Sequence, residues 1–347
     1  MIGICMESDS YFLWGKIMKR MYGLIAILIT FLAVAFFTEN REQEADKKVP
    51  QVGVLTLMHH PALDEIYRGF KAELKEAGYI DGKNIKIDYQ NANNDQSNLR
   101  TMATKLTDEQ SKVLVGITTP AAQALANSTS KTPIVLGAVT NPKASGLVKN
   151  ERHPESNVTG VSDAAPIKQQ LDLIKEFMPN LKTLGVIYTS SDSSAVSGFH
   201  EIEQECKRRK INLKVFSIAN SNDLNQVSEQ MFRQVDAAIV PTDNTIAGAM
   251  ETLVKNGNAA KKPIFPAAAT MVKQGGLATY SVNQYKLGQM TGKMTIAILK
   301  GKRVSSLPVE RVQKGEPVVN LKEAKELNLQ APQRFLKECQ RNGVVYR

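Results

Sequence analysis

Two turns rich in hydroxyl groups carry the side chains best suited to holding a small polar ligand. One contains Thr118-Thr119-Pro120, and the other contains Pro241-Thr242-Asp243-Asn244. Free N–H groups gather at a helix start and attract anions. The first turn offers only donors and suits a carboxylate, whereas the second adds the negative charge of Asp243 and suits an ammonium group. The pair therefore favours an amino-acid zwitterion over a phosphate or a sulfate.

Other loops with hydroxyl, small or acidic side chains follow the remaining predicted strands. Ligands of open parallel sheets lie beyond the carboxyl ends of the strands, so these loops are candidates as well. Helix capping alone explains much of the same composition, since Ser, Thr and Asp begin helices for structural reasons. The predicted ligand-binding residues are Leu57, Met58, His59, Thr118, Thr119, Thr140, Ser162, Asp163, Tyr188, Ser190, Ser191, Asp243, Asn244 and Tyr280.

Each group in this set has an expected role. Thr118, Thr119 and the N–H groups of the following helix would take the carboxylate. Asp243, with Ser162 or Asp163, would take the ammonium group. An apolar wall for the ligand side chain would come from Leu57, Met58, Tyr188 and Tyr280.

Motifs for catalysis or for metal binding are absent from the sequence. It contains no G-x-S-x-G elbow, P-loop, dinucleotide glycine fingerprint or paired-cysteine zinc motif. His59 and His60 before Asp64 could be drawn as a metal site, but their spacing fits no recognised ligand motif, and His60 before Pro61 is typical of a helix start. We therefore expect no metal, no cofactor and no enzymatic activity.

The elements that position these loops occur twice along the chain. Each half reads strand, helix, strand, helix, strand, turn, helix, with predicted strands near 51–57, 84–89 and 113–118 in the first half, and near 183–188, 212–216 and 236–240 in the second. Alternating β and α segments favour parallel sheets with helices on both faces. A chance match of two ordinary βαβ segments is the alternative. The sequence predicts an α/β fold of two Rossmann-like lobes joined by a hinge.

The predicted division places residues 1–48 in a signal or anchor segment with its linker. Lobe 1 spans 49–163 with part of 280–347, and lobe 2 spans 164–279. Residues 280–347 supply a return helix and a C-terminal tail across both lobes. Several crossings between two sheets favour hinge closure around a ligand.

The N-terminal segment predicts export. Lys19-Arg20 precedes an uncharged run over 22–37, which is the pattern of a secretory signal, and Ala33-Val34-Ala35 fits a cleavage site. An uncleaved anchor is the competing interpretation, because the run is only slightly shorter than a membrane-spanning helix. Either form places the folded part at the extracellular face of the membrane. Translation from Met18 in place of Met1 is a further alternative.

The net charge and the cysteine content say less about the function than the motifs do. The formal net charge is +10, but Lys and Arg are interleaved with Asp and Glu rather than clustered, so nucleic acid is not an expected partner. The three cysteines are Cys5, Cys206 and Cys339, and a disulfide between the last two is possible but unsupported.

Several short motifs together resemble the exported substrate-binding proteins of ABC transporters, in particular those that bind tryptophan and tyrosine. The matching residues are His60–Asp64, Gly69-Phe70, Glu76–Tyr79, Asn84-Ile85, Thr118–Ala122, Ala138–Pro142, Asn157–Asp163, Gly185–Tyr188, Pro241–Asn244 and Tyr285–Gly288. The resemblance implies a type I periplasmic-binding-protein-like fold. It also implies capture of an amino acid, with an aromatic one leading, and delivery to a membrane permease by a monomer.

Two features depart from that family's usual pattern. Asn141 stands where an Asp is usual, and no lipid-attachment cysteine follows the apolar run. An alternative function is a ligand-sensing ectodomain that partners a membrane receptor. An exported enzyme is a third hypothesis, but no nucleophile, base or metal constellation supports it.

Overall fold

The structure, a computed structural model, describes residues 27–34, 49–312 and 314–347. The chain divides into two compact units, residues 1–50 and residues 51–347. In the first unit, residues 27–34 form an exposed helix, α1.

Most predictions for the leader fall outside the described residues. These include Lys19-Arg20, Ala35, the linker, Cys5 and both candidate start positions. No helix within the described ranges is long and apolar enough to cross a membrane.

Six parallel strands form the sheet of the first lobe. The four central strands are short runs that are almost entirely buried, as in Val113–Ile117, where every residue is buried, whereas the two edge strands are more exposed. The strands are β1 (Gln51–Thr56), β2 (Lys86–Asn91), β3 (Val113–Ile117), β4 (Ile134–Gly137), β5 (Val158–Ser162) and β11 (Glu310–Arg311). Their order across the sheet is β11-β5-β4-β3-β1-β2, so the carboxyl ends of all six lie along one edge.

Four helices cover this sheet: α2 (Pro61–Glu76), α3 (Gln96–Asp108), α4 (Thr119–Ser128) and α11 (Gln284–Leu299). Polar residues start three of them, since the side chains of Asp95, Thr118 and Asn283 accept hydrogen bonds from the first turns of α3, α4 and α11. Pro61 is the first residue of α2, where its missing N–H is not needed.

Four parallel strands form the sheet of the second lobe, in the order β7-β6-β8-β9. They are β6 (Thr183–Thr189), β7 (Asn212–Ile218), β8 (Ala237–Val240) and β9 (Ile264–Pro266). The associated helices are α5 (Ile167–Phe177), α6 (Ser193–Arg208), α7 (Leu224–Phe232), α8 (Asn244–Gly248), α9 (Met250–Ala259) and α10 (Ala269–Lys273), and Ser221–Asp223 forms a short 3-10 turn.

A small third sheet completes the second lobe. It contains β10 (Ala278–Ser281), β12 (Glu316–Asn320) and β13 (Val344–Tyr346), together with α12 (Leu321–Glu326) and α13 (Gln333–Asn342). Val319 and Phe335 belong to the same apolar cluster as Leu184 and Val186 of β6, so this sheet packs on the second lobe. Buried Cys206 and Cys339 lie in that cluster and are both free thiols.

The strands lie within a few residues of their predicted positions, and the fold class is confirmed. The predicted return helix is α11 of the first lobe, and it follows β10 of the third sheet. The tail contributes β11 to the first sheet, after a 3-10 turn at Val304–Ser306, and then enters the third sheet. The chain therefore passes between the lobes after β5, after β10 and after β11.

Candidate functional site

A cavity lies between the two lobes, at the carboxyl ends of both parallel sheets. Its empty space is about 580 Å³ when the part open to solvent at its mouth is included. Its walls carry few charges and many small apolar side chains. The lining residues are His60, Ala62, Leu63, Ile66, Thr118, Thr119, Ala138, Thr140, Asp163, Ala165, Ser194, Thr242, Asp243, Asn244, Ala247, Ala267, Ala268, Met271, Val282 and Gln284.

The start of α4 presents unused donors to this cavity. Thr119 Oγ1 is fully buried and has no hydrogen-bond partner among the described residues. Thr118 Oγ1 accepts only a long bond of 3.4 Å from the N–H of Ala121. Because Pro120 has no N–H, the donors available at this helix start are few and defined. Hydroxyl and N–H donors at a helix N-terminus are suited to a carboxylate.

Backbone strain marks the same edge of the sheet. Thr118 has φ 98 and Ala138 has φ 93, values that normally require glycine. Both residues directly follow strands of the first lobe, and both line the cavity. Residues held in such conformations cluster at ligand-binding sites, where the surrounding structure stabilises them.

Asp163 supplies a carboxylate from the end of β5. Its Oδ1 accepts a hydrogen bond of 2.9 Å from Thr140 Oγ1, and the neighbouring Ser162 Oγ donates to the carbonyl oxygen of Thr140. Oδ2 accepts no side-chain hydrogen bond from the described part of the chain. Burial raises the pKa of Asp163 to about 6, because the charged form loses its hydration. A cationic group in the cavity would restore the charged form.

Asp243 is also buried, but its oxygens are occupied by protein donors. Oδ2 accepts from the N–H of Thr189 at 2.6 Å, while Oδ1 accepts from Thr189 Oγ1 and from the N–H of Ile246. Asp243 therefore caps α8 and ties it to the end of β6. Burial and the nearby charge of Asp192 raise the pKa of Asp243 to about 7.

A chain of hydrogen bonds runs from the second lobe to the first. Asp192 accepts from Ser194 and, at Oδ2, from Asn244 Nδ2 at 2.9 Å. Asn244 Oδ1 consequently faces His60 Nε2, 3.2 Å away, and His60 donates through that nitrogen. Burial lowers the pKa of His60, so the ring is neutral at neutral pH. His60 Nδ1 is then an acceptor, and nothing in the described ranges bonds to it.

The structure brings six of the predicted site residues to the cavity: Thr118, Thr119, Thr140, Asp163, Asp243 and Asn244. Ser162 is buried and does not line the cavity. Leu57 and Ser191 line a separate open groove, and Ser190 Oγ donates to the carbonyl oxygen of Ile218.

The four remaining predicted site residues do not line the cavity. Met58 is partly buried in the first-lobe core, and exposed His59 pairs with Asp64 at 3.0 Å. Tyr188 stacks on Phe199 with ring centroids 4.5 Å apart, and Tyr280 OH donates to Glu338. No group of three His, Cys, Asp or Glu residues could hold a metal within the ranges that the structure describes.

Several cavity residues were not among the predicted ones. The apolar wall comes from Leu63 and Ile66 of α2 and from Met271 of α10, in place of the tyrosines. His60 was assigned to the helix start alone. Its hydrogen-bond partner lies 184 positions away in the sequence, so no local pattern could identify it. The helical spacing of Leu63 and Ile66 was the available signal for the wall.

Two parallel α/β lobes with a cavity at their facing strand ends form a fold of the type I periplasmic-binding-protein class, to which other solved structures are similar. The family model of the ABC transporter substrate binding protein matches residues 51–342. The chain therefore belongs to that family. The match supports a role in transport rather than the alternative of a receptor ectodomain.

Three relatives are similar over most of the chain. The tyrosine-binding protein of Clostridioides difficile (strain R20291) is 35% identical over 292 residues, 84% of each chain. The ABC domain from Streptococcus pneumonia in complex with L-Trp is 40% identical, with a TM-score of 0.82, over 86% of this chain and 99% of that one. A ligand-free, open substrate-binding protein with adhesive properties from Clostridium difficile is 34% identical over 86% and 99%, with a TM-score of 0.67.

Proposed function

We propose that this protein captures a free amino acid, tryptophan or another aromatic one, between its lobes and delivers it to the permease of an ABC importer. One observation carries the proposal. The cavity combines the unused donors of Thr118 and Thr119 with the buried carboxylate of Asp163. A zwitterion complements both groups at once, whereas a sugar or a phosphate complements only one.

The proposed orientation follows from the strand order. The ligand carboxylate lies at the start of α4, after β3, and its ammonium group lies at Asp163, after β5. Asp243 supports the second lobe as a helix cap, because its oxygens already accept three hydrogen bonds. The aromatic side chain then contacts Leu63 and Ile66, while small residues such as Ala267 leave room for it.

Lobe closure is part of the proposal. This structure is more similar to the L-Trp complex than to the ligand-free, open relative, although identity and coverage are close. The His60–Asn244 hydrogen bond spans the cleft in this arrangement. We infer that lobes of 49–163 and 164–279, completed by 280–347, move about the three crossing segments and close on the ligand.

Further parts of the proposal concern the whole protein. It acts as an exported monomer at the extracellular face of the membrane, held there or released according to whether the N-terminal segment is an uncleaved anchor or a cleaved signal. It binds and releases its ligand unchanged, without enzymatic activity. Family membership supports the transport role, and the leader sequence supports export.

Calorimetric titration against the twenty amino acids tests the ligand class. We expect saturable binding of at least one aromatic amino acid. Tryptophanamide lacks the carboxylate and indole-3-propionate lacks the ammonium group, and each should bind at least tenfold more weakly, because one buried protein group loses its partner. Absence of heat with every aromatic amino acid would reject the assignment.

A further inference from the structure

His60 is the one side chain of the cavity whose only described partner lies across the cleft. It is 7% exposed, and Nε2 donates to Asn244 Oδ1. The chain of bonds through Asn244 to Asp192 fixes this orientation, since Asp192 can only accept from Asn244 Nδ2. A buried acceptor thus remains at Nδ1, unpaired within the described residues.

An unpaired buried acceptor is costly unless a ligand supplies the missing donor. The proposed amino acid has two kinds of donor, the ammonium group and any N–H or O–H on its side chain. Asp163 is the stronger partner for the ammonium group because it is a carboxylate. The side-chain donor is left for His60.

The order of the strands agrees with this division. Asp163 follows β5, Thr118 follows β3, and His60 follows β1. These strands lie in the order β5, β4, β3, β1 across the sheet, so the three residues occur in that order along one sheet edge. From β5 to β1 there are three strand spacings, or about 14 Å. A hydrogen bond at each end takes about 3 Å, which leaves room for an amino acid with a long side chain.

The surroundings of His60 also fit an aromatic ring with a polar tip. Ala62, Leu63 and Ile66 follow it on α2 and line the same cavity. Tyr and Trp combine a large apolar body with one hydrogen-bond donor, which usually finds a partner when buried. Phenylalanine would fill the same space and leave His60 Nδ1 unpaired.

We propose that His60 is a specificity-determining residue, whose Nδ1 accepts a hydrogen bond from the indole N–H or the phenol O–H of the ligand and so selects against phenylalanine. The inference rests on the proposed amino-acid function. It assigns to His60 a contact with the ligand in addition to its bond across the cleft.

The test compares ligands that differ only in the donor. Calorimetry on the wild-type protein gives the ratio of dissociation constants for phenylalanine over tyrosine, and for 3-benzothienyl-L-alanine over tryptophan, where sulfur replaces the indole N–H. We expect at least one ratio of about tenfold or more. These ratios need no variant, so they decide the question even if a variant fails to fold.

In the variant His60→Phe, each ratio that is large in the wild type should fall to within about threefold of one, because no acceptor remains to be left unpaired. The matched control is His200→Phe on the exposed face of α6, which should keep the wild-type ratios.

A purely structural role for His60 would weaken the binding of all four ligands together and preserve the ratios. Ratios near one in the wild type, or ratios unchanged in His60→Phe, overturn the inference and leave the amino-acid function standing. Failure of all four ligands to bind the wild type overturns both.

Discussion

At the scale of single residues, we expect Asp163 to link ligand binding to pH. Its pKa of about 6 in the folded protein lies above the value of about 3.9 for an exposed aspartate. The folded state therefore binds this proton more tightly than the unfolded state. The resulting contribution to stability is complete below about pH 4 and is lost as the pH rises to about 6.

A ligand ammonium group favours the charged form of Asp163, so binding should release a proton below pH 6. We expect the affinity for the amino acid to fall as the pH drops from about 7 to 5, by up to about tenfold per pH unit below the pKa. Calorimetry in buffers of different ionisation enthalpy measures the released proton. The variant Asp163→Asn should bind weakly, with a flatter pH profile. A wild-type profile that persists in Asp163→Asn would assign the titration to another group.

Asp243 provides the contrasting case of a buried carboxylate that serves the fold. Asp243→Ala leaves the N–H groups of Thr189 and Ile246 without their acceptor. We expect a loss of about 1 to 3 kcal/mol in the free energy of unfolding, measured by urea denaturation. Removing the exposed cap of α3 with Asp95→Ala is the control, expected near 1 kcal/mol.

Ligand affinity separates the two aspartates. At a temperature where Asp243→Ala is fully folded, its affinity should decrease less than that of Asp163→Asn. The reverse order would place the ammonium group at Asp243.

At the scale of elements, α2 and α11 pack with their backbones in close approach. A Cβ atom on Gly288 would lie 2.0 Å from the carbonyl oxygen of Ile66, and one on Gly69 would lie 2.0 Å from that of Tyr285. Both contacts involve backbone, which cannot rotate away as a side chain can. This packing also fixes the helix that begins beside His60.

Gly288→Ala should therefore separate the two helices and destabilise the fold by about 1 to 3 kcal/mol or more. Thermal unfolding measures the effect. Gly78→Ala is the control, because a Cβ there meets nothing within 4 Å and only the positive φ of 86 opposes it, at a cost of about 1 kcal/mol. Equal losses in the two variants would show that the helix contact is not tight.

The elements show where sequence reasoning succeeds. Buried parallel strands such as β3 are continuous apolar runs followed by a capping residue, and both signals are local. Thr118 and Asp163 reached the cavity because each directly follows a strand, and Asp243 did so from the third position after β8. Tyr188 and Tyr280 also end strands, yet their rings contact Phe199 and Glu338. Whether a residue at the end of a strand lines the cavity depends on the packing of distant segments, as does the pairing of His60 with Asn244.

At the scale of the whole molecule, two of the hydrogen bonds between the lobes lie at different distances from the cavity. His60–Asn244 lies in the cavity wall, whereas Ser193 Oγ donates to Gln123 Oε1 at 3.3 Å beside the separate open groove. The second bond connects α6 to α4 without lining the cavity. It can therefore stabilise the closed arrangement without contacting the ligand.

Gln123→Ala should consequently shift the protein toward an open arrangement. A ligand that binds the closed form loses affinity in proportion to the closed fraction that is lost. The bond is worth about 0.5 to 1.5 kcal/mol, which corresponds to a decrease in affinity of about two- to tenfold, equal for every ligand. Small-angle X-ray scattering of the ligand-free protein should show a larger radius of gyration, which returns to the wild-type value at saturating ligand.

Asn127→Ala is the matched control, since Asn127 lies on the same helix and groove and makes no side-chain hydrogen bond to the second lobe within the described residues. If Gln123→Ala changed the preference among ligands, its effect would lie in the cavity and not in closure.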